Sequence, residues 1–362
     1  MRSSITRWAA TSLLLLGGPV LAAGPAKPAD TAAKITPKVG KFTVSVRYEF
    51  NPIPKSLQLM DFWLPYPIED PHQKIVQRVT SSPYSLEIKP SDDKLAVVGY
   101  MKGAPRGGLP LQVRVTIRVE RTEDVETDFS KATEKPTTDE EKQIHEKWVK
   151  PDTLIQVDKE MKSIASKIVS GRKKTLDRAR AIYDHLVSNV GIVTPYELQG
   201  AGYGNAKFTM TQLKGDDMDM ASAFVGLCRS IGIPAVTVIG VKVPTGLNEG
   251  EINNFHGWAE FYVDGVGWVP VDPAEGRRNV QRRSYYFGSL DERRMAVSKG
   301  RDITLIPPQQ GPKLNFWIKG YWEGDQKPMN DPIVDIYFQD EDAPAKPGTA
   351  VSSLQPGMPP LH

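Results

Sequence analysis

The hydrophobic period of this chain changes twice, and that change constrains the fold more than any single residue does. Phe42, Val44, Val46 and Tyr48 alternate with polar residues, and Leu111, Val113, Val115, Ile117 and Val119 repeat the alternation more strongly. Such alternation is that of a half-buried strand, whose side chains point to opposite faces in turn. Between these runs, Leu57 to Leu64 and Leu95 to Val98 are set off by Pro, Gly and Asp clusters, so residues 41–122 read as a small antiparallel β-sandwich. The period then lengthens. Leu176, Ala179, Tyr183, Leu186, Val187 and Val190 fall on one helical face, with Arg178 and Asp184 on the other. A second helix is expected over Met218 to Ile231, stopped by Gly232 and Pro234. Alternation returns at Ala235 to Val241, Gly257 to Val263 and Gly267 to Val271. Helices followed by antiparallel strands make this second domain, over 151–276, an α+β domain.

The remaining segments are read from composition. Residues 123–150 form a polar linker, and 277–342 a β-rich extension with weaker strands at Leu314 to Ile318 and Ile333 to Phe338. Residues 343–362, rich in Pro, Gly and Ser, are expected to be disordered. At the other end, basic Met1 to Arg7, apolar Trp8 to Leu21 and the small residues Ala22 and Ala23 predict a signal peptide over 1–23. A flexible lead-in over 24–40 follows. The apolar run is too short to span a bilayer, so the chain is expected to be exported, to the periplasm, with no transmembrane segment. A net charge of +3, without a basic stripe interleaved with aromatics, gives nucleic-acid binding no support. Cys228 is the one cysteine, which excludes an internal disulfide and any cysteine-cluster zinc site.

Thiol acyl transfer needs a cysteine whose thiolate is favoured at a helix N-terminus, a histidine base and a carboxylate that orients the histidine. Two of these parts are legible. His256 opens a predicted strand in Phe255-His256-Gly257-Trp258-Ala259-Glu260-Phe261-Tyr262, and Asp272 ends the next in Gly267-Trp268-Val269-Pro270-Val271-Asp272-Pro273. Asp264-Gly265 predicts a two-residue hairpin turn between them, which makes His256 and Asp272 approximate cross-strand neighbours.

These two runs, together with Leu227-Cys228-Arg229-Ser230-Ile231-Gly232-Ile233-Pro234, resemble the transglutaminase-like superfamily of papain-like thiol fold. Trp63-Leu64-Pro65 with Asp70-Pro71-His72-Gln73, Tyr286-Phe287-Gly288 with Asp291-Glu292, and Gly300-Arg301-Asp302-Ile303 with Pro307-Pro308-Gln309 are similar to its exported bacterial members. The resemblance covers most of residues 41–320. It implies a transglutaminase-like core preceded by the β-sandwich, and a Gly-x-Cys-x-Asp pattern just before the long helix. Here that pattern reads Gly215-Asp216-Asp217-Met218-Asp219, so Asp217 occupies the place of the nucleophile. Asp217, His256 and Asp272 are then the vestigial triad.

Cys228 is expected to be a small core residue rather than a substitute nucleophile. It lies 228 − 217 = 11 residues along the helix, about 16 Å away, among Phe224, Leu227 and Ile231. Asp217 is expected to cap the helix, and with Asp272 to hold His256 cationic, which makes it a poor base. The leading reading is a noncatalytic module that binds a peptide-like or cell-wall-associated ligand in a groove including Tyr203 and Trp258, with no cofactor. Two others stay open: an active hydrolase or acyltransferase using Cys228 or an Asp217-His256-Asp272 site, and a metal site on the same residues. Asp216, Asp217 and Asp219 together also read as a solvated acidic helix start. Arg277, Arg278, Arg282, Arg283, Arg293 and Arg294 read as a solvated basic face, or a contact for an anionic surface.

Overall fold

A computed structural model describes residues 36–91, 94–106, 109–125 and 128–342. The leader, most of the lead-in and the 343–362 tail lie outside the described residues.

Two five-stranded antiparallel sheets share one core. The first runs in the order Glu249–Glu251, Ile333–Asp340, Val39–Phe50, Leu111–Thr122, Gln73–Ser81. The second runs Lys327–Pro328, Tyr321–Gly324, Met60–Tyr66, Val97–Gly103, Leu86–Pro90. The alternating residues Phe42, Val44, Val46, Tyr48 and Phe50 bury against Met60, Phe62, Leu64 and Tyr66 of the facing sheet. Burying one such Phe contributes about 2–3 kcal/mol.

Each sheet is completed by strands from the 277–342 region. Ile333–Asp340 pairs with the first strand of the sandwich, Val44 opposite Phe338, and Tyr321–Gly324 pairs with Met60–Tyr66. Leu314 to Ile318, expected as a strand, is irregular: Leu314 makes one isolated bridge with Ile303. Its apolar residues are there for burial rather than for pairing. Trp317 is fully buried and its indole N–H donates to the Val97 carbonyl at 3.1 Å. Within the expected linker, Asp139–Trp148 is a helix fixed by a Thr138/Glu141 capping box.

The second core forms between helices and a four-stranded antiparallel sheet of order Gly267–Val271, Phe255–Val263, Ala235–Lys242, Arg294–Lys299. The long helix is Asp217–Ser230, buried along almost its whole length. Helix Thr175–Asn189 buries Ala179, Tyr183, Leu186 and Val187 of the face that the sequence spacing predicts, with Ala181 and Ile182 beside them, while Leu176 is half-buried.

Candidate functional site

The hairpin that carries His256 differs from the predicted two-residue turn. Val263 pairs with Gly267, leaving the three-residue loop Asp264-Gly265-Val266, with Gly265 at φ +78°. That one-residue difference decides the site. A two-residue turn would put His256 and Asp272 on opposite faces, because side chains alternate along each strand. In the observed register Ala259 opposes Val271, so Asp272 falls just beyond the ladder, beside Trp258 and diagonal to His256. Diagonal neighbours share a face and long side chains span the gap. His256 Nε2 and Asp272 Oδ2 are 2.7 Å apart.

Gly257 brings the helix to the strand. A Cβ there would stand 2.9 Å from Met218 Cα and 3.2 Å from its amide nitrogen, a space that only glycine leaves open. The close approach sets Asp217, first residue of the helix, within reach of the adjacent His256, whose Nδ1 hydrogen-bonds Asp217 Oδ2. The structure therefore brings Asp217, His256 and Asp272 together.

Asp217 does not cap the helix. Asp216 does, its Oδ1 accepting from the Asp219 amide at 3.0 Å, while Asp219 Oδ2 accepts from the Asp216 amide at 3.0 Å. Asp219 also accepts from the Gly202 and Gly204 amides at 2.6 and 2.7 Å. This acidic start is a bonded one rather than a solvated one. Asp217, displaced from capping, turns its second oxygen to the Arg278 guanidinium.

Residues not singled out as site residues complete the network. Arg294, 0% exposed, donates to Asp272 at 3.1 Å and to Asp291 at 2.7 Å. The Glu275 amide donates to Asp272 Oδ1 at 2.9 Å, and the Glu275 carboxylate joins Arg278 at 3.1 Å and Lys242. Arg293 is also buried and paired, with Asp340 at 2.8 Å, so the expected solvated arginine face divides. Spacing held one clue. Arg278 ends the short helix Pro273–Arg278 that Asp272 caps, which brings it back toward the same cluster.

Electrostatics follow from this pairing. Burial alone would lower the pKa of His256, but the charges of Asp272 and Asp217 outweigh it and raise the value to about 9. Burial would lift Asp217 and Asp272, yet His256 with Arg278, and His256 with Arg294, hold both below the usual carboxylate range. Burial and the Asp219 and Asp217 charges push Asp216 up to about 7.

Trp258 is not a groove residue. It is 1% exposed in the apolar core, with the Arg294 guanidinium 5.1 Å from its ring centroid. Tyr203 is 63% exposed, on a loop whose backbone is held from below: Arg301 donates to the Tyr203 and Gly204 carbonyls at 2.9 and 3.2 Å. Cys228 is 0% exposed, and burial pushes its thiol pKa far above the ordinary value. A cavity of about 410 Å³ lined by His72, Asp124, Asp128, Lys131 and Trp268 does not include the triad.

Residues 162–273, which span Asp217, His256 and Asp272, match the model of the transglutaminase-like superfamily. An uncharacterized protein of Haemophilus influenzae is 26% identical over 325 residues, covering 78% of this chain and 87% of that one. The crystal structure of a candidate cysteine protease from Cytophaga hutchinsonii is similar with a TM-score of 0.59 at 16% identity, over 86% of this chain and 93% of that one, a likeness of fold. The chain thus carries a transglutaminase-like domain, set in a mixed α+β architecture behind an N-terminal β-rich region.

Proposed function

We propose that this protein is a noncatalytic transglutaminase-like module, exported to the periplasm, that binds a peptide-like or cell-wall-associated ligand. The observation that carries the reading is the engagement of both His256 nitrogens by the chain's own carboxylates, Asp217 at Nδ1 and Asp272 at Nε2. A general base needs a free lone pair within reach of the substrate proton. An imidazolium with two internal acceptors has none, and at neutral pH His256 stays in that form. Asp217 takes the place of the thiol nucleophile. Its attack on an amide would give a mixed anhydride, a poor intermediate for acyl transfer. Cys228 offers no substitute, since the thiolate is the reactive species and this thiol is buried in an apolar cluster. A metal would compete for a histidine whose nitrogens are both taken. The ligand-facing residue of this reading is Tyr203.

The full chain, incubated with labelled peptide amides with and without an amine acceptor, is expected to give no turnover above buffer. Turnover that Asp217→Ala or Cys228→Ala abolishes would overturn the noncatalytic reading. Soluble peptidoglycan fragments are expected to bind saturably by calorimetry, and Tyr203→Ala to weaken them. An absence of heat with the wild-type chain would remove the cell-wall ligand.

A further inference from the structure

Next to the triad, the charge that the fold leaves uncompensated gathers on one segment. Of Arg277, Arg278, Arg282 and Arg283, only Arg278 is ion-paired among the described residues, with Asp217 and with Glu275. Arg277 directs Nη1 to the carbonyls of Val187 and Ser188, at 3.1 and 3.3 Å. These close the helix Thr175–Asn189 and supply only the partial negative charge of a helix C-terminus. Arg282 has no side-chain hydrogen bond or ion pair among the described residues; its guanidinium lies 4.1 Å from the Tyr285 ring centroid and 5.0 Å from that of Tyr286. Arg283 likewise has no acceptor, and its Nε is buried without a partner. Glu123, the carboxylate that meets Tyr285, is occupied by the Tyr285 hydroxyl at 2.6 Å and the Lys38 amide at 3.2 Å.

The triad itself is balanced. Asp217, Asp272, Asp291 and Glu275 face His256, Arg278, Arg294 and Lys242. With His256 protonated these four acids and four bases balance, and the guanidinium groups without an ion pair among the described residues lie four and five residues beyond Arg278, at Arg282 and Arg283. The Tyr285 ring holds the Arg282 guanidinium over its face while leaving its donors without a side-chain acceptor among the described residues. A planar fork of that kind matches the two oxygens of a carboxylate or phosphate.

We propose that Arg282, with Arg283 next to it in the chain, forms an oxyanion-binding patch that takes a carboxylate or phosphate group of the ligand. That the patch serves a ligand rests on the binding reading above; that it binds oxyanions does not. The test uses the full chain, isotope-labelled at arginine, titrated with citrate and separately with inorganic phosphate at constant ionic strength. The Nε–Hε resonances of Arg282 and Arg283 are expected to shift saturably, and that of Arg180, paired with Asp184, to stay still. Saturation by citrate alone assigns a carboxylate, and by phosphate alone a phosphate. The Arg282→Gln/Arg283→Gln pair is expected to weaken the affinity at least about tenfold. Arg282→Lys, which keeps the charge, guards against a folding defect and is expected to weaken binding less. Linear shifts shared by every exposed arginine, or an unchanged affinity in the glutamine pair, would overturn the patch whether or not the domain is catalytic.

Discussion

The two ends of the helix Asp217–Ser230 are chemical opposites. At its start, Asp216 caps the backbone and Asp217 bridges His256 and Arg278 in an ion-paired network. Near its end, Cys228 sits fully buried with Phe224 and Leu227 in the apolar core. The helix dipole favours an anion at the first end only. A thiol there would be activated; a thiol at the second end is held protonated by burial. Residue type therefore says little about reactivity until its place along the helix is known.

The contrast can be broken at either end. Iodoacetamide should alkylate Cys228 in the native chain at least about a thousandfold more slowly than in denaturant, since labelling must wait for opening of a core helix. Similar rates in the two states would mean that this end is not closed. At the charged end, Asp272→Ala leaves Arg294 and His256 facing each other without their shared anion. It should cost about 3–5 kcal/mol in urea unfolding, as breaking a buried pair does. A loss below about 1 kcal/mol would deny the network a structural role.

The pH dependence sharpens the same point. A histidine with folded pKa of about 9 stabilises the fold fully below its unfolded value of 6.5, and that contribution is lost as the pH rises through 9. The chain should therefore lose on the order of 3 kcal/mol between these limits. Asp216, raised from 3.8 to about 7, acts in the same direction at lower pH, its contribution being lost as the pH rises between those two values. Asp217→Asn should flatten the curve by removing one of the two carboxylates that raise His256. Stability that is level from pH 6.5 to beyond 9 would mean that His256 is not cationic in the fold. The smallest effect is expected of Cys228→Ala, roughly 1 kcal/mol for a small core deletion, with His256 titration unchanged.

Much of the site was legible because it depends on local pattern. Gly215 to Asp219 opens an apolar helix, His256 opens one alternating run and Asp272 ends the next; the role of Asp217 followed from the resemblance of that helix start to the family pattern. What escaped depends on contacts distant in sequence. Arg294 reads as one of several arginines until the sheet order sets Arg294–Lys299 beside Ala235–Lys242 and delivers its guanidinium to Asp272. Trp258 follows His256 by two residues, and alternation puts it on the histidine's face. Only packing shows that this face is covered.

By itself, then, the sequence determined the alternating strands of the sandwich and of 235–271, the helices near 176–190 and 218–231, and that the second helix starts on carboxylates with its lone thiol far along. Those are properties of period and position, carried by neighbouring residues. Tertiary structure decided the rest: a three-residue loop that puts His256 and Asp272 on one face, the choice of Asp216 over Asp217 as cap, and the return of Ile333–Asp340 to the first strand. The reason is that a one-residue change in register reverses every side chain, while hydrophobic alternation is nearly blind to the length of the turn.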